Sequence, residues 1–419
     1  MRIEIICTGD EVLTGKIVNS NFSHISQRLE DVGLDVIWGT TVGDDRVQLL
    51  DAFQRAGARA DAVVVNGGLG PTVDDLSQEI AAKAAGVDLA LDEIWLERME
   101  AFFVRRQRPM PPSNRKQAML PRGAEILDNP IGTACGFATD IGRARFFFTP
   151  GVPRELKRML EEQIIPRLLA RSGAPGVIRL KRFHSYGIGE SRADTLLDGI
   201  EAMAEEGCAK LGFRAHYPQL ETKLVVRGRD ADDVARRLAP LQDEIRRRLG
   251  NFILAEDDQT LEAVLVEALG RAGATLATVE TFSAGQMAAR LAHLPGAEAV
   301  FRRGVVARTP DALGAALGLE LGGFGPDEAV RCAQAARDQA GASHALAMLV
   351  DLDAGADRID LGGTLRIAIA APGGVALREA RILGGRDWVR LGAIEMGLDC
   401  LRRFLQGLPI DERTDFEKR

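Results

Sequence analysis

The sequence predicts an α/β protein: a doubly wound parallel sheet in the first third, then a small α+β module, then a second α/β domain. Three observations carry this prediction. Short β-branched or aromatic runs alternate with helical spacing over the first 170 residues. Three of those runs close on glycine-bearing turns, and the ligands of open α/β sheets bind beyond the carboxyl ends of the strands. The Ser, Gly and Pro residues between 171 and 176 read as a linker, and the pattern changes beyond them.

Residues 3–7 form an apolar strand ending in Thr8-Gly9-Asp10-Glu11. Phe22, Ile25, Leu29 and Val32 follow at helical spacing, Gly33 ends that helix, and residues 34–38 resume as a strand, which completes a β-α-β crossover. Asp44-Asp45 caps a helix through Phe53. Val63-Val64-Val65-Asn66 then feeds Gly67-Gly68-Leu69-Gly70-Pro71-Thr72-Val73-Asp74-Asp75. Glycines there let backbone N–H groups approach an anion, with Thr72 or Asp74 capping a helix over 76–85. Asp74 and Asp75 would repel a phosphate unless a divalent cation lay between them. After a helix over 94–103, the polar run 113–117 reads either as a solvated loop or as an anion clamp. Phe146-Phe147-Phe148 makes the third strand, ending in Thr149-Pro150-Gly151-Val152-Pro153 before a helix to about residue 169.

Beyond the linker come a strand over 178–186, the loop Gly187-Ile188-Gly189, two strands, and a helix over 231–249. An RNA-clamping loop of the KH kind needs Gly-x-x-Gly, so a connector is expected here and nucleic-acid binding is not. The third region places a strand over 274–279 before Glu280-Thr281-Phe282-Ser283-Ala284-Gly285, where Thr281 or Ser283 is a helix cap or a catalytic hydroxyl. Further strands are expected at 305–307, 345–350, 365–370 and 375–382, with a helix over 389–405. The segment after Leu408 is polar and reads as frayed.

With 419 residues, 46% hydrophobic and 27% charged, the composition is that of a globular protein of several domains. A net charge of −7 gives no overall attraction to nucleic acid or anionic membrane. Five scattered cysteines without a Cys-x-x-Cys pair argue against a disulfide framework or a zinc ribbon. Glu4 in the first strand argues against a signal peptide, and no apolar run has spanning length, so a cytoplasmic location is expected. No Walker loop or dinucleotide fingerprint is present.

These residues give the chain a resemblance to the competence/damage-inducible protein A (CinA) family. It rests on Thr8-Gly9-Asp10-Glu11, Gly15-x-Ile17-Val18-Asn19-x-Asn21, the run from Gly67 to Asp75, Asn114-Arg115-Lys116-Gln117-Ala118, Asn129-Pro130-x-Gly132-Thr133-Ala134 and Pro150-Gly151-Val152-Pro153. The resemblance implies a molybdopterin-binding-like domain over 1–170, a KH-like connector over 171–255 and a CinA-type C-terminal domain over 256–419, in a homodimer. It also implies metal-dependent hydrolysis of ADP-ribose, or a related nucleoside diphosphate sugar, to two monophosphates. Asp10, Asp74 and Asp75 fall on the family's acidic positions and would hold a divalent Mg, Mn or Co ion, with Glu11 orienting or deprotonating water. Thr8, Gly9, Asn19, Asn21, Gly67, Gly68, Gly70, Pro71, Thr72, Asn114, Arg115, Lys116, Pro150 and Gly151 would hold the small-molecule nucleotide. The alternatives are a molybdopterin-type binder without hydrolysis, and a bifunctional enzyme that also deamidates nicotinamide mononucleotide.

The last third resembles the family's nicotinamide-mononucleotide amidohydrolase domain with altered active positions. The family pattern Glu-Ser-Cys-Thr-Gly-Gly stands here as Glu280-Thr281-Phe282-Ser283-Ala284-Gly285, and the tyrosine of Val-Ala-Tyr-Ser-Asn is Arg308. A threonine methyl restricts χ1, and a guanidinium cannot relay a proton as a phenol does. The expectation is a folded domain in which Glu280, Thr281, Ser283 and Arg308 mark a degenerate site without useful deamidase activity.

Overall fold

The computed structural model describes residues 1–173, 177–355 and 360–417. It divides into two compact units, Met1–Arg179 and Leu180–Arg419.

In the first unit the strands are β1 (Ile3–Thr8), β2 (Val36–Val42), β3 (Ala62–Asn66), β4 (Leu89–Leu91), β5 (Met119–Pro121), β6 (Glu125–Leu127), β7 (Gly136–Ile141) and β8 (Ala144–Thr149). Six of them form one sheet in the order β2-β1-β3-β8-β7-β6, parallel from β2 to β8 and antiparallel beyond; β4 and β5 pair separately. Alternation along the strands divides the core. Ile6, Val63, Val65, Phe146 and Phe148 pack on one face with Leu49 and Phe53 of the helix Arg46–Arg59. Ile3, Ile5, Val64 and Phe147 pack on the other with Ile25 and Leu29 of the helix Ser20–Asp31. Both faces are covered, so the strands read as continuous apolar runs. The order β1-β3-β8 brings the turns after Thr8, Asn66 and Thr149 side by side.

The single helix expected before residue 169 is three pieces: α from Pro153 to Met159, a π turn from Leu160 to Ile164, and α from Ile165 to Ser172. Pro166 has no N–H for the ladder, and the Ile165 N–H reaches back to the Leu160 carbonyl.

The second unit opens with β9 (Val177–Tyr186), β10 (Ala209–His216), β11 (Gln219–Gly228) and β12 (Ile253–Glu256), ordered β10-β11-β9-β12 under the helix Ala231–Leu249. Strands β13 (Leu276–Glu280), β14 (Phe301–Val306), β15 (His344–Leu352), β16 (Gly362–Ala371) and β17 (Gly374–Leu383) make a second sheet, β14-β13-β15-β16-β17. In it β13 runs parallel to β14 and β15, and the rest is antiparallel. The helix Arg386–Leu405 packs on this sheet, with Val389, Ile394, Met396 and Leu398 in the core. Residues 409–417 are not frayed: buried Arg378 donates to the carbonyls of Ile410 (2.6 Å) and Glu412 (3.1 Å), and buried Arg403 pairs with Glu412. No helix among the described residues is long and apolar enough to cross a membrane.

Candidate functional site

At the carboxyl ends of β1, β3 and β8 lies a cavity of about 570 Å³, lined by residues of all three turns. Asn66 is its hub. Its amide donates to the Thr149 hydroxyl (3.1 Å) and the Pro150 carbonyl (2.7 Å), and its carbonyl oxygen accepts from Asn21 (2.9 Å). Asn21 also donates to the Gly151 carbonyl at 2.7 Å. These bonds fix the turn backbones against one another. Thr8 is buried at the same place, and its hydroxyl has no partner.

Gly67 and Gly68 have φ of +111° and +68°. A Cβ on Gly68 would lie 2.4 Å from the Ser77 hydroxyl, which itself donates to the Gly67 carbonyl. The glycines therefore serve the close packing of the turn on the helix Ser77–Ala85. That helix carries no side-chain cap from Thr72 or Asp74. Instead Asp75 accepts from the Thr72 N–H at 2.9 Å and from the Thr72 hydroxyl, closing the loop upon itself.

Asp10 and Asp44 are similarly committed. Asp10 accepts from the Asp44 amide (3.1 Å) while Asp44 accepts from the Asp10 amide (3.2 Å). Burial pushes the Asp44 carboxyl above its ordinary range; the Asp10 amide opposes this, and the charges of Asp10, Glu11 and Asp74 add to the rise. Asp74 is exposed. Among the described residues no three of His, Cys, Asp and Glu are placed to hold a metal ion. Asp10, Asp74 and Asp75 thus form no such group.

Thr8, Gly9, Glu11, Asn19, Asn21, Gly67, Gly68, Gly70, Pro71, Thr72, Asp74, Asp75, Pro150 and Gly151 line the cavity; Asp10, Asn114, Arg115 and Lys116 do not. The run 113–117 is not a loop. It lies in a 3-10 helix, Pro112–Ala118, that braces the glycine turn. Asn114 donates to Gln117, Gln117 donates to the Leu69 carbonyl (3.1 Å), and Lys116 donates to the Thr72 carbonyl (2.6 Å). Asn66 and Asp44 line the cavity without having been singled out as ligand-holding residues. A polar residue closing a buried valine run was the available signal for Asn66.

In the C-terminal domain β13 ends at Glu280, and a tight turn leads to the helix Gln286–Ala292. Glu280 is fully buried. It accepts from the Ser283 hydroxyl and from the amides of Met287 and Ala288, both at 2.9 Å. The buried Thr281 hydroxyl accepts from the Val350 N–H at 2.8 Å. Phe282 and Ala284 sit at φ +68° and +58°, a strained region for side chains with a Cβ. The Arg308 guanidinium lies 5.1 Å from the centre of the Phe282 ring.

Comparisons with known proteins match this layout. A model described as a probable molybdopterin binding domain covers residues 4–170. The damage-inducible protein CinA KH domain covers 181–255, and the CinA C-terminal domain 258–405. A CinA-like protein of Shewanella amazonensis is 37% identical over 97% of this chain and 96% of its own length. The chain belongs to the CinA family. A CinA-like protein of Frankia casuarinae is 36% identical over 99% of this chain and 98% of its own length. Another CinA family relative, from Shewanella oneidensis, is 36% identical over 97% of this chain and 96% of its own, and is named nicotinamide-nucleotide amidohydrolase PncC. Among solved structures, that of CinA with unknown function from Thermoplasma acidophilum is 35% identical, covers 38% of this chain and 94% of its own, and has a TM-score of 0.36.

The PncC relative overturns the expectation of an ADP-ribose pyrophosphatase with a silent deamidase domain, because its name points to an amidohydrolase. The geometry offers a physical reason. Of the carboxylates assigned to pyrophosphate chemistry, Asp10 and Asp75 are used in organising turns.

Proposed function

We propose that the chain hydrolyses the amide of a nicotinamide nucleotide at the Glu280–Gly285 turn. The observation that carries this reading is the buried hydroxyl–carboxylate pair of Ser283 and Glu280, in the same turn as the buried Thr281. Amide hydrolysis needs a nucleophile, a proton acceptor and a donor to the developing oxyanion. Ser283 Oγ attacks the carbonyl carbon as Glu280 takes its proton, and that proton leaves with the departing ammonia. Water then releases the carboxylate and restores the hydroxyl proton. Thr281, whose Oγ1 already accepts from Val350, keeps a proton to donate to the oxyanion. Both hydroxyls are buried, so the turn opens as substrate enters; strain at Phe282 and Ala284 favours that opening.

The test is ammonia release from nicotinamide mononucleotide by the full-length protein. Ser283→Ala and Glu280→Gln should each lower the rate by about 10²-fold or more. No release by the wild type, or an undiminished rate in a Ser283→Ala/Thr281→Val protein, overturns the proposal.

A second reading concerns the N-terminal cavity alone: it binds a phosphate-bearing small molecule without cutting it. The buried, unpartnered Thr8 hydroxyl supports this, since such a group calls for a partner. A homodimer belongs to the same proposal, and light scattering decides it.

A further inference from the structure

We propose that the glycine loop of the middle module, with Arg192, is an anion-binding site whose resident occupant is the chain's own Asp415. One Asp415 oxygen accepts from the Gly189 N–H at 2.8 Å and the other pairs with Arg192 at 2.7 Å. The Asp415 N–H donates to the Gly187 carbonyl at 2.9 Å. Gly187 has φ +84°, and a Cβ there would lie 2.7 Å from the Thr414 methyl, so the loop and this segment pack closely. Arg192 is held over the Phe252 ring at 5.0 Å. A backbone N–H and an oriented guanidinium converging on two oxygens of one anion is the chemistry that holds a phosphate group.

The arrangement is graded so that the occupant can leave. Arg192 and Asp415 keep side-chain exposures of 49% and 31%, and an exposed pair of this kind has small net worth. The same segment is tethered on either side of Asp415 by buried Arg403 on Glu412 and buried Arg378 on Glu417. A competing phosphate can therefore displace the Asp415 carboxylate while the segment stays attached. With Asp415 seated, the module is closed to phosphate-bearing ligands.

The test compares full-length wild type, Asp415→Ala, Asp415→Asn and Asp415→Ala/Arg192→Ala. Inorganic phosphate is titrated calorimetrically, and a short labelled single-stranded RNA is followed by anisotropy at low salt. Asp415→Ala should bind phosphate, RNA or both at least about tenfold more tightly than wild type, and the added Arg192→Ala should remove the gain. A gain with RNA alone assigns the site to a phosphodiester chain; a gain with inorganic phosphate assigns it to a free anion. Asp415→Asn, which keeps the acceptor and the shape but not the charge, should show a smaller gain and decides the matter if the alanine variant fails to fold. No gain in a folded variant, or a gain that survives loss of Arg192, overturns the proposal.

Discussion

Gly68 and Gly151 stand beside the same cavity and have opposite roles. Gly68 has φ +68°, and a Cβ on it would meet the Ser77 hydroxyl at 2.4 Å. Gly68→Ala should cost about 2 kcal/mol, through strain and loss of the Ser77 bond to Gly67, read as a lower denaturation midpoint. At Gly151 an added Cβ meets only the Gly67 Cα, at 3.7 Å. Gly151→Ala should leave the midpoint unchanged and weaken binding of a nucleoside monophosphate several-fold by calorimetry. Equal loss of stability in both variants would refute the distinction. Ala284, exposed at φ +58°, stands where the family pattern has glycine. Ala284→Gly should therefore raise the midpoint by about 1 kcal/mol, because it removes left-handed strain without removing a contact.

At the scale of an element, the short strand β12 is fixed by its last residue. Glu256 accepts both Arg246 bonds (2.7 and 2.8 Å) and pairs with Lys181 of β9 (2.6 Å). The Arg246 hydrogen bonds, aided by Lys181 against the cost of burial, pull its pKa down to about 2. A depressed carboxyl pKa stabilises the fold above its unfolded value, near 4.5, and that stability is lost as pH falls toward about 2. Glu256→Gln should cost about 2 kcal/mol at pH 7, and the gap to wild type should narrow at pH 3 in urea titrations. A gap independent of pH would exclude the ion pair as its cause. Elements with strong local patterns were legible in advance: the valines of β3, the phenylalanines of β8 and the helix cap by Asp45 depend on near neighbours. What escaped depends on distant ones. Asp44 reads as a helix cap until β2 is laid beside β1 and faces it with Asp10. The helix Pro326–Ala340 buries only small side chains, Ala329, Cys332, Ala333 and Ala336, so no large apolar residue marks its inward face. The segment near Asp415 is polar in isolation and becomes ordered through distant partners, among them Arg378 and Arg403. The carboxylates Asp74 and Asp75 were legible as a pair, but the bond from Thr72 that turns Asp75 inward was not.

Across the whole molecule, the division at Arg179 predicts how the chain unfolds. Within the second unit, the turn between β10 and β11 is joined to the helix Arg386–Leu405. The Tyr217 ring stacks on Trp388 at 3.4 Å between centroids, and its hydroxyl donates to the Trp388 carbonyl at 3.1 Å. Gln219 donates to buried Glu395 at 2.5 Å, and Arg290 pairs with Glu395 and Glu262. Burial raises the Glu395 pKa, against the opposing charge of Arg290. Removing one partner from such a network leaves another buried and unpaired, so the middle module and the C-terminal sheet should melt together. The three tryptophans report on this separately, since Trp38 and Trp95 lie in the first unit and Trp388 in the second. In a Trp38→Phe/Trp95→Phe background, Tyr217→Ala should lower the midpoint seen by Trp388 by about 2 kcal/mol or more. Circular dichroism in that protein should show the strands and helices of residues 180–417 lost in the same step. In a Trp388→Phe background the transition seen by Trp38 and Trp95 should not move. A middle module that unfolds apart from Trp388, or a Tyr217→Ala effect that reaches Trp38, would mean that cooperativity does not follow these contacts.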